Sequence, residues 1–114
     1  MGFYRIQQIV FDTNQVDRLV SFWCAALGYS LHHRAPGYAS LHDPDGRDPV
    51  LFLQEVPEAK AGKNRSHIDI QVDDEQAAVA RLVDLGATVL WRNDADSWTA
   101  MADPDGNEFC VGHF

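Results

Sequence analysis

The sequence predicts an α+β fold in which two βαβββ modules in tandem form a curved mixed sheet around a cup-shaped pocket. Three observations carry this expectation. The turn Asp43-Pro44-Asp45-Gly46 recurs as Asp103-Pro104-Asp105-Gly106, 60 residues later in a chain of 114. Leu27-Gly28-Tyr29 matches Leu85-Gly86-Ala87 at an offset of 58, and Gln8-Ile9-Val10 matches His67-Ile68-Asp69 at 59. Asp-Pro-Asp-Gly alone is ordinary turn chemistry. Three markers in one order, with offsets agreeing within two residues, identify an internal repeat. Two facing halves of a duplicated module enclose a cleft, which is where function is to be sought.

Each module reads in the same order. Ile6, Ile9, Val10 and Phe11 form a short apolar strand, and Asp12-Thr13-Asn14 supplies helix-capping side chains, with Asp17 favourable in the first turn. Val16, Leu19, Val20, Trp23 and Leu27 follow at helical spacing, and Gly28 closes the helix. Strands are expected over residues 29–34, 38–42 and 50–56, with turns at 35–37 and 43–48. The second half repeats the pattern. A strand over 66–72 precedes a helix over 75–85, capped by Asp73-Asp74, striped by Ala78, Leu82 and Leu85, and closed by Gly86. Strands over 87–92, 97–102 and 107–113 complete it. The modules span about 1–57 and 65–114, and residues 58–64 link them within a single domain.

Composition narrows the partners. Seventeen acidic residues against nine basic ones give a net charge of −8, which argues against nucleic acid and anionic membranes. No apolar run reaches the length of a membrane span, and Met1-Gly2-Phe3-Tyr4-Arg5 lacks an apolar signal core. Cys24 and Cys110 are too few and too far apart for a disulfide framework or a zinc cluster. A reduced, cytoplasmic protein is expected.

The βαβββ-βαβββ order, Phe22-Trp23 followed by Leu27-Gly28-Tyr29, the segment Asn64-Arg65-Ser66-His67-Ile68-Asp69 and the ending from Asp103 to Cys110 resemble the vicinal oxygen chelate superfamily. That superfamily includes glyoxalase I, bleomycin-resistance proteins and extradiol dioxygenases, and the resemblance is nearest to its small glyoxalase-like domain proteins. Metal-dependent members hold a divalent ion with residues on the first and last strands of each module. The resemblance places those slots on Gln8, His67, Cys110 and either Phe52 or Gln54. No carboxylate is among them, so divalent ions that favour carboxylate and imidazole are poorly served. No cofactor is therefore the expectation, with a divalent metal held by His67, Gln8 and Cys110 as the alternative.

Strand alternation extends the candidate set. Tyr38, Ser40 and His42 share one strand face, Glu108, Cys110 and Gly112 another, and Trp98 is the repeat partner of Tyr38. A cup lined by Gln8, Tyr38, Gln54, His67, Trp98 and Cys110 suits a flat, partly apolar small-molecule ligand. His67 and Glu108 are the candidate catalytic pair. His32 and His33, adjacent on a strand, are expected to face opposite sides, Trp23 to be core, and Trp91 to be core as well. Two classes of function follow: a binding protein with a metal-free cup, or a metal-dependent lyase, isomerase or dioxygenase. The resemblance also implies a twofold homodimer.

Overall fold

Val16, Leu19, Phe22 and Trp23 lie on one helical stripe. In the computed structural model, which describes Gly2 and residues 4–114, they are the buried face of helix α1 (Val16–Leu27). The chain divides into two units, one running up to Ala59 and the other starting at Lys60. The first contains β1 (Ile9–Thr13), α1, β2 (Ser30–Ala35), β3 (Tyr38–His42) and β4 (Leu51–Glu55). The second contains β5 (Asp69–Gln71), α2 (Glu75–Leu85), β6 (Thr88–Asn93), β7 (Trp98–Ala102) and β8 (Glu108–Gly112). Each forms a four-stranded mixed sheet, ordered β1-β4-β3-β2 and β5-β8-β7-β6. In each, the first strand pairs parallel with the last and the remaining pairs are antiparallel. The tandem βαβββ architecture is thus present.

One face of each sheet packs on its own helix. In the first unit Leu41, Leu53 and Ala39 are fully buried with Leu19 and Trp23, and Phe11 and Phe22 meet the Trp23 ring edge-on at 5.8 and 5.0 Å. In the second, Met101, Phe109 and Val111 are buried with Leu82. The second core also holds two polar groups. Glu75, 6% exposed at the start of α2, accepts a 2.5 Å hydrogen bond from Thr99 Oγ1 and lies 3.6 Å from Arg92. Burial of the carboxylate is tolerated because both oxygens have partners.

The repeated turn does the same work in both copies. The Asp43 carboxylate accepts N–H bonds from Asp45, Arg47 and Asp48, and Asp103 accepts them from Asp105 and Asn107. Those bonds hold the Asp43 carboxyl below its ordinary range. Each turn delivers the chain into the last strand of its unit.

Five local expectations are corrected. Ile6 is 89% exposed and lies outside β1. The α1 N-cap is Gln15 with no side-chain cap; Thr13 Oγ1 instead accepts from Gln15 N at 2.9 Å, one turn early. The first strand of the second unit begins only at Asp69, so His67 precedes it. Finally, irregularities between Leu31 and His33, and again between Val89 and Trp91, interrupt the pairing of β2 and β6. A bulge cancels the two-residue alternation. His32 therefore stacks on His42 at 4.0 Å while His33 packs on Tyr38 at 5.5 Å, both on the face that β3 turns away from α1. Trp91, at the equivalent place in β6, is 54% exposed rather than core. The opening segment read for a signal core includes Met1 and Phe3, which lie outside the described residues.

Candidate functional site

The helix-free face of the second sheet gathers most of the chemistry. Its register is read across four strands. Asp69, Cys110, Ala100 and Trp91 form one cross-strand row; Gln71, Gly112, Trp98 and Asn93 form the next; Glu108, Ala102 and Thr88 lie on the other side. The two middle strands contribute small side chains, Ala100, Ala102, Cys110 and Gly112, all buried. Indoles rise at one end of this floor, where Trp91 and Trp98 meet edge-on with centroids 4.6 Å apart. At the other end His67 Nε2 lies 3.3 Å from Asp69 Oδ1. Three strand spacings, roughly 14 Å, separate Asp69 on β5 from Trp91 on β6, and Trp98 on β7 stands one spacing nearer.

Gly112 is required by close approach. A Cβ there would stand 2.7 Å from Trp98 Cβ and 2.9 Å from the Ser97 carbonyl oxygen. Ser97 has a positive φ of 57°, which turns the chain into β7 immediately before Trp98. Cys110 is 8% exposed, and its thiol is pushed up, first by burial and then by the nearby Asp69 charge. A protonated, buried thiol has little nucleophilic character.

Glu108 sits at the margin of the face. Lys60 Nζ is 2.9 Å from its carboxylate and the Asn64 backbone N–H donates to it at 3.3 Å. The Lys60 hydrogen bond, reinforced by that of Asn64, holds the Glu108 carboxyl below its ordinary range against an opposing effect of burial. The carboxylate beside His67 is thus Asp69.

The remaining sequence candidates lie in the first unit. Gln8 is half-buried just before β1. Tyr38 stacks on Phe52 at 5.1 Å with 14° between the rings, and Gln54 is the direct register partner of Tyr38. The open choice between Phe52 and Gln54 is resolved by register. Val10 and Ser40 flank Phe52 as Asp69 and Ala100 flank Cys110, so Phe52 is the equivalent of Cys110 and Gln54 that of Gly112. The slot thus holds an apolar ring and offers no metal donor.

Asp69 and Trp91 were not among the sequence candidates, although a signal for Asp69 existed. It follows His67 by two residues and so falls on the same face of an extended segment. Its carboxylate changes the donor set. Ligand atoms of His67, Asp69 and Cys110 all lie within 4.8 Å of one another. Imidazole, carboxylate and thiol together suit a borderline-soft ion such as zinc, and suit magnesium or calcium poorly.

Tandem βαβββ units of this kind are the fold of the glyoxalase/bleomycin resistance/dioxygenase, or vicinal oxygen chelate, superfamily. Within it, the chain belongs to the glyoxalase-like domain family, whose model matches residues 8–112. No curated protein sequence matches the chain. Among solved structures it is similar to the trypanothione-dependent glyoxalase I of Leishmania major, with TM-score 0.76 and 21% identity over 96% of this chain and 86% of that one. It is also similar to a fosfomycin resistance protein from Mesorhizobium loti, with TM-score 0.77 and 12% identity over 99% and 94%. A third likeness is to a glyoxalase/bleomycin resistance protein/dioxygenase family enzyme from Burkholderia phytofirmans, with TM-score 0.74 and 16% identity over 94% and 96%. At these identities the likeness is one of fold.

Proposed function

We propose that this glyoxalase-like protein binds a small, flat, partly apolar organic molecule on the helix-free face of its second unit. One observation carries the reading: Ala100, Ala102, Cys110 and Gly112 form a small-residue floor between the Trp91–Trp98 pair and the His67–Asp69 pair. Sheets ordinarily fill such positions with large side chains that pack. Small side chains keep this face low beside the two indoles, of which Trp91 is 54% exposed, so that the rings offer apolar contact to a planar ligand, with hydrogen-bonding groups at the far end. Binding of this kind needs no metal. Gln8, Tyr38 and Gln54 belong to the first unit and are proposed as ligand-binding residues of that unit.

The test is a thermal-shift screen of planar compounds against the wild type and Trp98→Ala. A true ligand at a hundredfold excess over its Kd stabilises the folded form by about 2.7 kcal/mol. That stabilisation is expected to vanish in Trp98→Ala. A hit equally stabilising in both proteins, or no hit from a broad planar set, contradicts the reading.

A second reading, a metal-dependent lyase, isomerase or dioxygenase, is favoured by the proximity of His67, Asp69 and Cys110. In it His67, oriented by Asp69, would be the proton-moving group, and Glu108, fixed by Lys60, a positioning charge. Turnover that disappears in both His67→Ala and a chelated sample would favour this reading over simple binding. Two further parts of the proposal concern setting. Free Cys24 and Cys110 support a reducing, cytoplasmic location. A homodimer is expected from the exposed edge strands β2 and β6, and light scattering at the mass of one chain would reject it. Among the described residues, no helix is long and apolar enough to cross a membrane.

A further inference from the structure

The resemblance spreads the metal ligands over both modules, yet the equivalent of Cys110 in the first unit is Phe52, which has no donor. We propose that His67, Asp69 and Cys110 form a self-contained, three-donor zinc-type site within the second unit, with Asp69 replacing the ligands that the first unit does not supply. The proposal stands apart from the organic-ligand reading, and the ion is tested alone. If it holds, it replaces the expectation of a metal-free wall.

Backbone pairing fixes two of the donors. Asp69 is the parallel-strand partner of Cys110, and the Cys110 N–H donates to the Ile68 carbonyl at 3.0 Å. This bond locks the segment carrying His67 and Asp69 beside β8. The third donor, His67, stands two residues before Asp69 on the same side. Tetrahedral zinc with ligand distances of about 2.0–2.3 Å needs donor atoms roughly 3.3–3.8 Å apart. The present maximum of 4.8 Å needs a closure of about 1 Å. Side-chain rotation of His67 and Asp69, 44% and 49% exposed, supplies it, while Cys110 stays as the buried base.

Competition for these donors is slight. Among the described residues the ion-pair partner of Asp69 is His67, and no lysine or arginine takes its carboxylate. Glu108, by contrast, is already held by Lys60 and stays outside the set. Three protein ligands leave a fourth position on the exposed side, the arrangement of zinc sites that keep an open coordination place.

The experiment titrates the full chain with Co²⁺ as a spectroscopic stand-in, then displaces it with Zn²⁺. One equivalent is expected to give a thiolate-to-cobalt charge-transfer band with d–d bands of tetrahedral intensity. Cys110→Ser should remove the charge-transfer band, and Asp69→Asn should weaken Zn²⁺ binding at least tenfold. Cys24→Ser, the other free cysteine, should leave both unchanged. Absence of stoichiometric cobalt binding, a charge-transfer band that survives Cys110→Ser, or full affinity in Asp69→Asn overturns the proposal. So does a charge-transfer band that is lost in Cys24→Ser. Asp69→Asn keeps the shape of a half-exposed side chain, so it remains decisive if Cys110→Ser does not fold.

Discussion

Gly112 marks a close approach of β7 and β8, because any Cβ there meets Trp98 Cβ at 2.7 Å and the Ser97 carbonyl at 2.9 Å. Backbone cannot yield cheaply on both sides, so Gly112→Ala is expected to destabilise the protein by about 1–3 kcal/mol. Its urea midpoint should fall accordingly. Thr99 Oγ1 and Glu75 form a second sensitive point. Glu75→Ala leaves the buried Thr99 hydroxyl without its acceptor and Arg92 with Asp94 as its remaining partner, and a loss of about 1–3 kcal/mol is expected by the same measurement. Glu108 gives a pH signature. Its carboxyl is held low chiefly by the Lys60 hydrogen bond. The folded state therefore binds the proton less well than the unfolded chain. The contribution is complete above the unfolded carboxyl value of about 4.3 and is lost as pH falls through the lower folded value. Lys60→Ala should cost about 0.5–1 kcal/mol at neutral pH, and the variant's stability should converge with that of the wild type in acid. A difference that persists at low pH would mean that Lys60 acts by packing.

The two helices occupy corresponding places but start differently. Asp74 caps α2 through a 3.0 Å bond from the Ala77 N–H, whereas Gln15 offers α1 no side-chain cap. Asp74→Ala is expected to lower stability by about 1 kcal/mol, while Gln15→Ala should change it by less than about 0.5 kcal/mol; thermal unfolding of the pair checks both. The boundaries of α2 were legible because Asp74, the Leu82 stripe and Gly86 are strong local signals. The α1 cap was misplaced because Thr13 turns its hydroxyl to the Gln15 N–H, a turn contact that looks like a cap in sequence. Edge strands were least legible. Strict alternation is a property of regular pairing, and the bulges in β2 and β6 depend on partner strands that no local window contains. They reversed the reading of His32 and His33 and turned Trp91 outward.

The duplicated turn made the architecture of the whole chain readable, since markers recurring in order at offsets of 58 to 60 point to two equivalent units. The candidate site was only half readable, because equivalence of position is not equivalence of content. On matching helix-free faces, Tyr38, Ser40, His42, Phe52 and Gln54 of the first unit correspond to Trp98, Ala100, Ala102, Cys110 and Gly112 of the second. The first unit fills its floor with stacked rings, and the second clears it to small side chains beside two indoles. Ligand binding on that cleared floor is the central claim. Its most direct measurement is an NMR titration that follows the indole N–H signals of Trp23, Trp91 and Trp98 while planar compounds are added. The account predicts a saturable shift of Trp91 and Trp98 with at least one compound, little change at the fully buried Trp23, and loss of binding in Trp98→Ala. Indole signals of Trp91 and Trp98 that stay still while another part of the chain responds would contradict it.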